Sequence, residues 1–347
     1  MLKVAAALLF GILSIDAGTK TPFSAVFVLE EEVKLVGSAE APVFGSTSPL
    51  IVEDQLYFTN LYENRVMVFH RRDGYVRSWG RRGRGPGEFQ MPYGLVRDHL
   101  GRFFVNDKSN MRIQQFSAEG AYLRQFPIQV SVDRMFAIQR GQDTHLLVVG
   151  FGPGGNRNCL VREYTSAGET VSNYHCPARP ALKYNWEADR DNQGRLWVAN
   201  TLERVVKVFG ADGRELREIE LRSPSWRPFQ AVGIPASEAN PNRLPHIQKA
   251  LRTQAHTSIS SMYRYKNWLV VQLLRKNYSD KGPKHIVDVY DLKGRAVVHG
   301  LVAPGYLFGH QENRFHFYRG RVEDSPHGET TLGIYQFQER SLKRGKP

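Results

Sequence analysis

Three sets of residues have types and spacings that could do chemistry. The first is a pair of cysteines, Cys159 and Cys176, the only two in the 347-residue chain. They flank the segment LVREYT-SAGE-TVSNYH. A hairpin centred on Ala167-Gly168 opposes positions whose numbers add to 335, and the cysteines satisfy that rule. Opposed residues at a non-hydrogen-bonded antiparallel pair have Cα atoms ~4.5 Å apart, within disulfide range. A disulfide in an oxidising compartment is expected, with two buried thiols as the alternative. The second set is cationic: Arg81, Arg82 and Arg84, and further on Arg243, Lys249 and Arg252. The third is aromatic. Tyr93, Tyr184 and Tyr306 each stand near the start of a β-rich run. Their rings could stack on a sugar or another flat ligand, or simply pack as strand residues.

Catalysis needs convergent groups, and the sequence offers few. Glu53, Glu187 and His310 fall in runs otherwise made of apolar residues, Tyr and Arg. His246 and His256 are ten residues apart, off any common helical face. There is no HExxH, zinc-type cysteine spacing, EF-hand loop or GxSxG elbow. Gly80 to Gly87 is glycine-rich but lacks the Lys-Ser/Thr ending of a phosphate loop. No catalytic residue, metal or cofactor is assigned.

The elements that must position these residues repeat. A β-rich run ends near Asn60, Asp107, Gly150, Asn200, Gln272 and Tyr318, in steps of 47, 43, 50, 72 and 46 residues. Each is followed by a second run, such as Arg65 to Phe69 or Ile286 to Tyr290, often alternating apolar and polar residues. Turns such as Arg72-Asp73-Gly74 and Ala211-Asp212-Gly213 come next, where glycine permits the positive φ of a tight hairpin. With a run before and a strand after, each copy supplies four antiparallel strands. A period near 45 residues of this kind marks propeller blades. The fold class expected is all-β, a six-bladed β-propeller with a small core between each pair of blades.

The last copy has no fourth strand, because only a basic tail, residues 338–347, follows Phe337. The spare run Val26 to Val36 is expected to complete it and close the ring, giving a propeller over residues 26–337. The 72-residue step contains an insertion at about 235–256, in which Pro245 can open a short amphipathic helix. Before the propeller, Met1-Leu-Lys3, an apolar run from Val4 to Ile15 and small residues at Ala17-Gly18 read as a signal peptide. Cleavage is expected after Ala17, or as late as Ala25. The apolar run is too short to span a bilayer.

The stretch Gly80-Arg-Arg-Gly-Arg-Gly-Pro-Gly-Glu-Phe89, with Pro92 to Leu95, Gly101 to Asp107 and Arg112 to Phe116, resembles an NHL repeat. Asn192 to Asn200 with Val205 to Gly213 is a weaker match. The resemblance implies a six-bladed propeller. It leaves function open among RNA binders, protein-binding modules, lyases and lactonase relatives.

Charge narrows the choice. The chain has 47 Lys and Arg against 34 Asp and Glu. In four-stranded antiparallel blades, the loops between blades share one face with those between the second and third strands. Most of the excess cations fall in these loops, whereas the opposite loops mix signs. The expected function is an exported binding or scaffold module, secreted or periplasmic and monomeric. Its basic top face would engage an acidic polysaccharide or an acidic protein surface. Nucleic acid is not expected in an exported protein. A lyase-like or lactonase-like enzyme with its site at the channel mouth is the alternative.

Overall fold

The protein is described by a computed structural model covering residues 21–43, 47, 49–152, 159–176, 186–229, 245–279, 282–322 and 327–342. A single helical turn, α1 (Phe23–Val26), leads into β1 (Phe27–Val36). Blade 1 comprises β2 (Leu50–Val52), β3 (Gln55–Asn60), β4 (Arg65–His70) and β5 (Gly74–Trp79). Blade 2 comprises β6 (Pro92–Arg97), β7 (Phe103–Asp107), β8 (Arg112–Phe116) and β9 (Tyr122–Pro127). Blade 3 is built of β10 (Ser131–Arg140), β11 (Asp143–Phe151), β12 (Cys159–Thr165) and β13 (Thr170–Cys176). Blade 4 has β14 (Trp186–Arg190), β15 (Leu196–Asn200), β16 (Val205–Phe209) and β17 (Glu215–Glu220). After helix α2 (Pro245–Thr253), blade 5 has β18 (His256–Tyr265), β19 (Trp268–Lys276), β20 (His285–Asp291) and β21 (Ala296–Val302). Blade 6 contributes β22 (Tyr306–Gln311), β23 (Arg314–Val322) and β24 (Glu329–Phe337), and takes β1 as its fourth strand. The chain is a six-bladed propeller. Among the described residues no helix is long and apolar enough to cross a membrane.

The core is divided as the repeat predicts. Six clusters of buried apolar residues each span one interface between neighbouring blades. Central strands are buried on both faces, as in β15, whose five residues include the fully buried Trp197. The ring closes where expected, with β1 antiparallel to β24 from Phe27 opposite Phe337 to Val36 opposite Glu329. Phe23 stacks on Phe27 at 4.9 Å and meets Phe317 edge-on at 5.3 Å. Each fully buried Phe contributes ~1.5–3 kcal/mol, so this aromatic seam is a strong clasp. The chain does not leave the fold at Phe337. A 3-10 turn, Glu339–Leu342, carries Leu342 into the seam, so the basic tail begins later than the sequence indicated.

Two kinds of one-residue bulge shape the blades. Between the two outermost strands every blade has one at the same level; blade 5 has a second at His299-Gly300, and β23 has a separate bulge at Arg319. The extra residues at the shared level are Glu30, Val76, Leu123, Val171, Leu216 and Val297, and the five apolar ones are 39–53% exposed. The blade 3 bulge explains the cysteine register. The turn between β12 and β13 centres on Ala167, half a residue earlier than expected, with the Thr165 amide donating to the Glu169 carbonyl. The extra Val171 offsets that difference, and Cys159 stands opposite Cys176. Gly168 is required at this turn: its φ is +94°, and a Cβ there would lie 2.3 Å from Phe126.

Candidate functional site at the channel mouth

The inner strands of all six blades begin at the same end of the axis. The inner strand β10 lies against β6 and β14, and β18 lies against β14 and β22. Their first residues enclose two adjoining hollows, of about 220 Å³ and about 180 Å³. Both are lined by Tyr93, Asp133 and Arg134, and the larger also by Trp186, Glu187 and Tyr306.

The second kind of bulge lies here. Four inner strands each carry one extra residue where they enter the cavity. The bulged positions are Tyr93-Gly94 in β6, Asp133 in β10, Ser260 in β18 and Phe308 in β22. A strand normally turns successive side chains to opposite faces, and a bulge breaks that rule and re-aims one of them. That is how the consecutive Asp133 and Arg134 both reach the cavity.

Arg134 donates from Nε to Oε2 of Glu187 at 3.0 Å, and its Nη2 donates to the same oxygen. Burial works against the Arg134 charge, but the facing Glu187, with the Tyr263 and Tyr306 hydroxyls, outweighs it and holds the guanidinium firmly protonated. Burial raises the Glu187 carboxyl above its ordinary range, and Arg134 offsets part of that rise. Asp133 accepts the Trp186 amide at 3.0 Å through Oδ2. Desolvation is the main reason its pKa is pushed up to about 7, with the Glu187 charge adding to it. Burial raises Tyr306 to about 12, so its hydroxyl stays protonated and donates to the Ser260 carbonyl at 3.2 Å. Among the described residues no hydrogen-bond partner is found for Glu187 Oε1, Asp133 Oδ1, the Tyr93 hydroxyl or the nearly buried Thr201 hydroxyl. Lys108 covers the Tyr93 ring, its Nζ 4.6 Å from the centroid. Lys276 also lines the cavity, and burial lowers its pKa.

Of the residues singled out in the sequence, Tyr93, Tyr306 and Glu187 meet here. Tyr184 and Arg243 lie outside the described residues. Arg81, Arg82 and Arg84 are exposed on the loop between blades 1 and 2. That loop is pinned from below by Arg112, which donates to the Arg84 and Gly85 carbonyls at 2.6 and 3.0 Å and to Asp107 at 2.7 Å. Lys249 and Arg252 are exposed on α2. Glu53 does not join the channel. β2 ends at Val52, and Glu53 takes a left-handed turn (φ 53°) at the far end of the blade. His310 reaches the channel wall at a deeper level, 3.4 Å from Asp189. The sequence reading missed Asp133 and Arg134 as site residues. The available signal was a charged pair inside the apolar strand SVDRMFAI.

No protein-family model matches the chain. Among the solved structures that share its fold are two from Bacteroides. One is a candidate exported protein of Bacteroides fragilis, at 12% identity and TM-score 0.64, with 92% of this chain and 98% of that one covered. The other is a member of the DUF4221 family from Bacteroides vulgatus, at 11% identity and TM-score 0.63, covering 90% and 98%.

Proposed function

We propose that this protein is an exported binding module that engages an anionic partner, an acidic polysaccharide or an acidic protein surface, through the face around the channel mouth. The supporting observation is the group of exposed cations on the loop between blades 1 and 2 and on α2. At the far face three loop arginines pair with an aspartate four residues earlier, Arg102 with Asp98, Arg195 with Asp191 and Arg295 with Asp291, at 2.7–2.9 Å, while among the described residues Arg72 and Arg97 are exposed there and make no ion pair. At the mouth face, Arg81 meets Glu88 yet its side chain stays 81% exposed. Among the described residues Arg82, Arg84, Lys249 and Arg252 are exposed and make no ion pair. Charges within ~8–10 Å of each other act together on an approaching anion at ordinary salt. Reversing Arg81, Arg82 and Arg84 to Glu should abolish retention on a heparin-like column. Reversing Arg72, Arg97 and Arg190 on the far face should change it little. Equal loss in both triple variants would show a diffuse surface property and overturn the reading.

Export rests on the expected signal peptide, on the opposed cysteines and on the like fold of a candidate exported protein. The placement of Phe23 in the closing seam favours cleavage after Ala17, since a cut after Ala25 would remove that ring. The Cys159–Cys176 disulfide belongs to the same proposal. One observation favours a second reading, an enzyme working at the mouth. A carboxyl near neutrality in a cavity suits general acid–base work, and Asp133 is such a group. Turnover of a lactone or polysaccharide that Asp133→Asn abolishes would establish it.

A further inference from the structure

The mouth cavity differs in chemistry from the basic loops around it. Those loops present bare cations. The cavity presents acceptors and donors in near balance, beside aromatic rings. Glu187 Oε1 and Asp133 Oδ1 are acceptors without a donor, and the Tyr93 and Thr201 hydroxyls are unmatched as well. Thr201 is only 6% exposed, and its hydroxyl is buried behind the cavity wall without a partner. The Tyr93 ring is 37% exposed at the rim and Trp186 stands in the wall. At about 220 Å³ the cavity falls below the ~300–1,000 Å³ of sites for drug-sized ligands.

We infer that this cavity seats a single sugar ring, a unit of the acidic polysaccharide named above, with Asp133 and Glu187 accepting its hydroxyls and Tyr93 meeting its face. The inference rests on the basic-face reading and narrows it. An acidic peptide would satisfy the loop cations but has no hydroxyls for the cavity acceptors. Free polyanions would find two carboxylates inside. A polyhydroxylated ring matches both donors and acceptors, and Lys276 lines the cavity where an acid group on that ring would meet a cation. The bulge at Asp133 is then a binding device: it turns an acceptor inward from a position that regular alternation would send into the blade.

Calorimetry separates this inference from the reading beneath it. The probes are tetrasaccharides of gluco, galacto and manno configuration, each in neutral and uronic form, and hexaglutamate. At least one configuration should bind saturably in both forms, with the uronic form about tenfold tighter at low salt. Tyr93→Ala and Glu187→Gln should each weaken both forms tenfold or more. The Arg81, Arg82 and Arg84 reversal should weaken only the uronic form. If hexaglutamate binds as well as every uronic sugar and Tyr93→Ala changes nothing, the sugar seat is overturned while the basic-face reading stands. If the loop reversal has no effect on any probe but a neutral sugar binds and needs Tyr93, the basic-face reading falls and the seat remains. Failure of all neutral forms to bind overturns the seat outright.

Discussion

The outer strands of all six blades and the inner strands of four carry a one-residue bulge, but different residues fill them. On the outside the extra residue recurs at one level in every blade, and in five blades it is an exposed Val or Leu. On the inside it is Tyr-Gly, Asp, Ser or Phe, in blades 2, 3, 5 and 6. A device repeated with like residues answers a need that all blades share: twisting an outer edge so that another strand cannot extend it. A device that appears unevenly, with unlike residues, around one cavity answers to that cavity. In a repeat protein, recurrence marks the fold and departure from it marks the site.

The largest test removes one outer bulge together with its strand. A protein beginning at Gly37 loses Phe23, Val26, Phe27, Val33 and Leu35 from two interfaces. At ~1.5–3 kcal/mol each, an upper estimate, this rivals the ~5–15 kcal/mol stability of a whole domain. The shortened protein should lose its cooperative melting transition. Melting at the intact protein's temperature would show that β1 does not hold the ring.

The next test concerns Val171. The intact protein, unfolded without reductant, should show no titratable thiol, and the disulfide should contribute ~3 kcal/mol. Deleting Val171 moves Cys176 out of opposition, so both thiols should then react. Two free thiols in the intact protein would remove the bond from the account.

A direct comparison deletes one bulge of each kind. Without Asp133, the start of β10 slips by one residue and Val132 leaves the core, at a cost of about 2 kcal/mol in urea unfolding. Sugar binding should also be lost. Without Val76, only Gly74 and Tyr75 beside the turn are shifted. The expected cost is ~1 kcal/mol or less, with binding unchanged. Equal loss of binding in both would break the distinction between the two kinds of bulge.

The smallest expected effect is electrostatic. Folded Asp133 titrates near 7, whereas in the unfolded chain it ionises near its ordinary 3.8. Between these values the unfolded state releases a proton that the folded state keeps. Stability therefore falls as pH rises through about 4 to 7 and levels off above. Asp133→Asn should remove this fall, so the variant gains on the parent between pH 4 and pH 8. The shift sets a ceiling of ~4 kcal/mol, and water in the cavity lowers it to about a third. Urea midpoints at the two pH values measure it. A gain that is larger at pH 4 than at pH 8 would contradict the assignment.

These bulges mark how far the sequence could be read. Blade count, strand order and ring closure follow from alternation and turns, which every copy displays. A single extra residue leaves a run looking like a strand, so neither set of bulges was visible. The opposition of Cys159 and Cys176 was inferred correctly because two unseen offsets cancelled, an earlier turn centre and the Val171 bulge. Glu53 was misassigned because β2 stops after three residues, which no pattern in so short a run reveals. Asp133 and Arg134 stand in the sequence as a charged pair within an apolar run. That both turn inward depends on the bulge between Val132 and Arg134.

Ring closure by β1 also has a consequence for timing. β1 is the first strand in synthesis order and β24, its partner, the last. Blades 1 to 5 are each built from consecutive strands and can form as they appear, whereas the sixth joins segments from opposite ends of the chain. Contacts of such sequence separation form late, because the loop entropy is lost before the contact repays it. The ring therefore cannot shut on a partial chain. Once shut, the sixth blade loses its fourth strand only if β1 peels away with its aromatic seam.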